Sequence, residues 1–151
     1  MKSVVCSFVL VSLLIFAGCG KKNDGNTFVT GTVTQGGNPL EAARVTFVPE
    51  GGTGEAAGGS TDKDGKFTLT TSAGKQGTGT KPGQYKVTIT KTKIEWDGKT
   101  YLPVMREGDE PSKDEKIVHL LPLQYSNSVQ TPFKATVTEK KADNVFDFDV
   151  K

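Results

Sequence analysis

A chain of 151 residues is long enough for one domain with a modest core and too short for two. Hydrophobic residues make up 34% of it and glycines number 18, a composition that excludes both a disordered chain and a multi-span membrane protein. Basic and acidic residues nearly balance at 19 and 17, with no basic stripe, so nucleic-acid binding has little support and no nucleic-acid partner is expected.

The chain opens on Met1-Lys2-Ser3, a short positive start, and residues 4–16 follow without a charge. Thirteen such residues fall short of the roughly 20 that a helix needs to cross a hydrocarbon core. Their length, the small residues after them and the abrupt change to Lys21-Lys22-Asn23-Asp24 fit a secretory signal over residues 1–18. Ala17-Gly18-Cys19 resembles the lipobox of bacterial lipoproteins, in which small residues precede an obligatory cysteine. Phe16 departs from the aliphatic residue usual there, though Leu13, Leu14 and Ile15 keep the region apolar. The resemblance implies cleavage before Cys19, whose thiol would carry diacylglycerol, with palmitate-type chains in the membrane. Two or three acyl chains hold a protein stably at a bilayer, each buried methylene contributing about 0.8 kcal/mol. Residues 19–27 then read as a lipidated tether. Its eight residues after Cys19 give a reach of roughly 26 Å at about 3.3 Å each.

From residue 28 onward the hydrophobic period is two. Val29, Val33, Val45 and Phe47 are expected to face inward. Phe67 and Leu69, then Tyr85, Val87 and Ile89, then Phe133, Ala135 and Val137, and finally Phe146, Phe148 and Val150 alternate with polar neighbours. Each run buries one face and wets the other, as antiparallel sandwich strands do. Turn chemistry separates the runs: Gly36-Gly37-Asn38-Pro39 closes the first strand, Asp64-Gly65 is a hairpin signal before Phe67, and Lys81-Pro82-Gly83 opens the Tyr85 strand. The expectation is an all-β protein, an antiparallel sandwich of about seven strands over residues 28–151, with no amphipathic helix.

Gly31-x-Val33 followed by Gly37-x-Pro39-Leu40 and Val45-x-Phe47-x-Pro49 is similar to the opening of carboxypeptidase regulatory-like and transthyretin-like domains. Thr61-Asp62-x-x-Gly65-x-Phe67-x-Leu69 and Pro82-Gly83-x-Tyr85-x-Val87-x-Ile89 resemble later strands of the same family. Leu121-Pro122-x-x-Tyr125-Ser126, Thr131-x-x-x-Ala135-x-Val137 and Asn144-x-Phe146-x-Phe148 resemble small bacterial lipoproteins carrying that domain. The family implies a prealbumin-like, Ig-like sandwich and says little about function.

Catalytic equipment is sparse. Both cysteines lie within the first 19 residues, so the domain has neither a disulfide nor a cysteine-based zinc site, and His119 is its one imidazole. A lone histidine before Leu120-Leu121-Pro122 is more often structural than catalytic, and there is no G-x-S-x-G nucleophile elbow. The transthyretin-like fold includes 5-hydroxyisourate hydrolase, but that family's several His and Arg residues and its Tyr-Arg-Gly-Ser ending are missing. Asp62-x-Asp64-Gly65 reads as a turn rather than a calcium loop, because position twelve is Ala73 where an EF-hand needs Glu. No catalytic residue, metal or cofactor is therefore expected.

Residues 92–120 hold the single Trp96, together with Tyr101 and Met105. Trp96 to Tyr101 could form a small hairpin with Asp97-Gly98 at its tip. Trp96 and Tyr101 are candidates for contact with a partner or glycan; the alternative is that Trp96 packs against the sandwich edge. The expected function is a non-catalytic binding or structural module of the cell envelope, held at a membrane by Cys19, with an envelope protein or polysaccharide as partner. Resemblance to Gram-negative lipoproteins, in which Asp after the lipidated cysteine retains the protein at the inner membrane, implies from Gly20 a place on the periplasmic side of the outer membrane. The rival readings are an accessory subunit of a secreted or envelope complex and, third, a hydrolase of the transthyretin-like fold.

Overall fold

Alternating sequence becomes alternating burial: Val29, Val33, Val45, Phe47, Val87, Ile89 and Val150 have no solvent exposure, and their chain neighbours Thr32, Thr46 and Asp149 are partly or fully wet. The computed structural model describes residues 25–51, 54–71, 74, 77–96, 99–101 and 116–151. Among them the strands are β1 (Thr30–Gln35), β2 (Asn38–Pro39), β3 (Arg44–Pro49), β4 (Ala57–Ser60), β5 (Lys66–Thr68) and β6 (Thr70–Thr71). There follow β7 (Gly83–Thr90), β8 (Thr92–Trp96), β9 (Lys99–Tyr101), β10 (Lys116–His119), β11 (Lys134–Val137) and β12 (Val145–Val150). The helical content of the described residues is two three-residue 3-10 turns, Leu123–Tyr125 and Lys141–Asp143.

Two sheets face each other. In one, β1 is flanked by β12 on one side and by β5 and β2 on the other; the second runs β11-β7-β3-β4-β6. The protein is an all-β sandwich, as the alternation requires. β5 and β6 form one run broken at Leu69, so apart from the two-residue β2 the sandwich is built from seven main runs. At Leu69 the chain leaves one sheet for the other: β5 pairs with β1, β6 pairs with β4, and the fully buried Leu69 sends its N–H to Val29 and receives that of Gly79. That crossing closes one side of the sandwich. On another flank Tyr125 stacks on Phe133, ring centroids 5.4 Å apart, and Phe133 meets Phe148 at 5.2 Å.

Phe47 of β3 is the hub of the core. Its ring lies 6.3 Å from Phe67, 5.8 Å from Tyr85, 5.7 Å from Phe146 and 6.3 Å from Phe148, so one side chain bridges both sheets. Tilted and edge-on aromatic contacts at this range add to the area that each ring buries.

Nearly every ladder is antiparallel; β1 and β12 pair in parallel, Thr30 to Val145 through Gln35 to Val150. Parallel neighbours need a long connection, and here the whole domain lies between them. Gly31 sits at this junction, and a Cβ there would run into the Phe146 carbonyl and the Phe67 ring. The β1–β2 hairpin turns on Gly36 and Gly37, both at positive φ, the requirement of a two-residue I′ turn.

Asp62 makes the turn that leads into β5. Its Oδ1 accepts the N–H groups of Asp64 and Lys66, each at 2.9 Å, while Gly65 closes the turn onto the Asp62 carbonyl. The adjacent Thr61 hydroxyl, buried, donates to the Leu40 carbonyl at 2.6 Å and accepts from Ala43 N–H at 2.8 Å. Thr61 thereby pins the connection from β2 to β3, where Ala42 is held at a positive φ of 54°.

Candidate functional site

The chain joins the sandwich at Thr27, which exchanges both backbone hydrogen bonds with Thr80. Asn144, fully buried just before β12, fastens the same point. Its Nδ2 donates to Thr27 Oγ1 at 3.2 Å and to the Thr138 carbonyl at 2.9 Å, and its Oδ1 accepts Thr138 N–H at 2.8 Å. A buried amide is costly unless its donors and acceptor are matched; this one is matched, and it ties the start of the fold to its last strand. Close by, the Lys141 ammonium lies 4.5 Å above the Phe28 ring. Cys19 lies outside the described residues.

Strands β8, β9 and β10 form a sheet of their own in the order β10-β8-β9. The expected pairing across residues 96–101 is present as a backbone ladder, Trp96 opposite Lys99 and Ile94 opposite Tyr101, so Trp96 and Tyr101 occupy diagonal positions two residues apart in register. Asp97, Gly98 and Met105 lie outside the described residues, as do the side chains of Trp96 and Tyr101. In this sheet Lys93 Nζ meets Glu95 at 2.6 Å, and that hydrogen bond together with the lysine's charge holds the Glu95 carboxyl below its usual range. His119 is exposed at the end of β10, opposite Thr92. The described structure therefore places His119 on a solvated strand end and Asp62 in a turn, and brings neither to the Trp96–Tyr101 ladder.

A second region was not singled out by its sequence. On the outer face of the β1–β12 ladder, Thr32, Thr34, Asp147 and Asp149 border an open concavity that reaches Phe148. Thr32 lies opposite Asp147 and Thr34 opposite Asp149. Asp149 Oδ1 accepts the Thr34 hydroxyl at 2.7 Å and Gly37 N–H at 3.0 Å, and these bonds, the threonine's first, hold its carboxyl below the usual range. Alternation alone read Asp147 and Asp149 as wet positions. Their pairing with a threonine row could not be found in sequence, because β12 meets β1 from the far end of the chain.

Among the described residues no group of three or more His, Cys, Asp or Glu is placed to hold a metal ion, and no helix is long and apolar enough to cross a membrane. No family model matches the chain, and comparison with curated proteins and with solved structures gave no match.

Proposed function

We propose that this protein is a lipid-anchored component of the bacterial cell envelope, held by acylated Cys19 on the periplasmic side of the outer membrane. Its sandwich, which we take to be of the transthyretin-like or carboxypeptidase regulatory-like kind, serves as a non-catalytic binding or structural module for an envelope protein or polysaccharide. The observation that carries this reading is Ala17-Gly18-Cys19 at the end of an uncharged run, only eight residues before Thr27, where the chain is pinned to the sandwich. A short polar tether between an anchor and a clamp keeps the domain close to the bilayer. Trp96 and Tyr101, on one short ladder of the outlying sheet, are the proposed contact residues on that side of the molecule.

Membrane partition tests the anchor. After expression of the full chain and a carbonate wash of membranes, the wild-type protein is expected in the pellet and the Cys19→Ala variant is expected to leave it. Equal partition of the two would refute lipid anchoring.

A further inference from the structure

Among the described residues, nothing pairs with one side of the last strand. Asn144 accepts the Thr30 N–H and Val150 accepts that of Gly36, so the even-numbered residues of β12 point their backbone groups at β1. The N–H and C=O groups of Val145, Asp147 and Asp149 point the other way, and among the described residues β12 has no other strand neighbour. The open stretch has an end: Tyr125 Oη accepts the Lys151 N–H at 3.2 Å and covers the next position. What is left presents three consecutive donor–acceptor pairs, enough for a partner strand of about five residues, since backbone groups on an edge recur at every second residue.

The faces of that edge differ. Val145 is 57% exposed, and the side chains of Asp147 and Asp149 stand beside it on the outer face. Lys151 favours the charged form of Asp149, and Lys66 lies across β1, opposite Thr32; Asp147 has no basic residue opposite it in the ladder. On the inner face, Phe146 and Phe133 are half-buried against the core. Residues paired across a ladder share a face, so an added strand would set alternate side chains beside the two carboxylates and the one between them beside the rings.

We propose that β12 is a docking edge for an extended segment of a partner protein in which basic residues alternate with apolar ones. Main-chain hydrogen bonds supply the attachment, and the carboxylates with the inner rings supply the choice of sequence. A second copy of this chain fits less well: antiparallel pairing about the middle of β12 sets Asp147 opposite its own counterpart, and like charges directly opposite destabilise a ladder. The proposal deepens the reading of a binding module and is independent of the lipid anchor, so failure of one leaves the other standing.

The test uses the full-length protein as expressed, acylated or not, in detergent micelles with the peptide acetyl-Lys-Val-Lys-Val-Lys-amide. Binding is read by fluorescence anisotropy and its location by amide hydrogen exchange. The expected result is saturable binding with slowed exchange at residues 145–149, and at least tenfold weaker binding of acetyl-Glu-Val-Glu-Val-Glu-amide. Asp147→Lys should reverse that preference, and methylating alternate amides of the lysine peptide should abolish binding with the protein unaltered. No binding, binding without protection of 145–149, or binding indifferent to N-methylation would each overturn the proposal. Concentration-dependent protection of the same amides without peptide would overturn it in favour of a second copy.

Discussion

The sandwich and the outlying sheet β8–β10 are both β structure, yet they are held by different forces. In the sandwich both sheets turn side chains into one interior, and among the described residues 18 hydrophobic side chains are buried there, none of them a described side chain of β8 or β10. The described side chains of β8 and β10 are half-buried or exposed: Ile117 retains 39% of its surface, and Lys93 and Glu95 pair on the same strand. Three strands whose described side chains are all at least partly wet are close to the limit of independent stability. The lesson is that a period-two pattern specifies a strand, and only a second facing sheet turns it into a rigid one.

The largest break of this contrast comes from Phe47→Ala. Removing the ring that joins both sheets should lower the unfolding free energy by about 3–5 kcal/mol in urea denaturation. A loss below about 1 kcal/mol would mean that the core is not organised around it. Ile117→Thr should cost less than about 1 kcal/mol, since a side chain already partly wet loses little. In hydrogen exchange it should speed the β8 and β10 amides while leaving β3 and β7 protected. Acceleration across both sheets would show that the outlying sheet and the sandwich unfold as one unit.

A smaller effect belongs to the outer face. The folded Asp149 carboxyl is held below its usual range, so the chain binds that proton more weakly folded than unfolded. Its contribution to stability is present above the ordinary aspartate range and disappears as pH falls through the lowered value. Asp149→Asn should therefore flatten the acid limb of the stability–pH curve and leave its shape above pH 6 unchanged. An unaltered acid limb would show that the Thr34 and Gly37 bonds do not favour the charged form.

Much of the sandwich was legible because burial there depends on local alternation. Val33, Phe47, Val87 and Val150 could be assigned inward from their neighbours alone, and Gly36-Gly37 announced its turn. The parallel β1–β12 pair was not legible, since no turn residue marks two strands separated by nearly the whole domain. The strand's crossing at Leu69 was hidden for another reason: Phe67 and Leu69 read as one alternating run, and only the pairing partners reveal that its halves belong to different sheets. Of the candidate functional residues, Trp96 could be found as the single tryptophan and Tyr101 by its place across the Asp97-Gly98 turn signal. The side of β12 that no described strand pairs could not, because such an edge is a property of a strand's neighbours and not of its own residues.

The intact mass of protein extracted from membranes tests the Cys19 anchor most directly. A mature chain beginning at Cys19 and carrying diacylglycerol mass, with that mass lost in Cys19→Ala, is the predicted result. An unacylated mature chain, or one beginning at another residue, would contradict it.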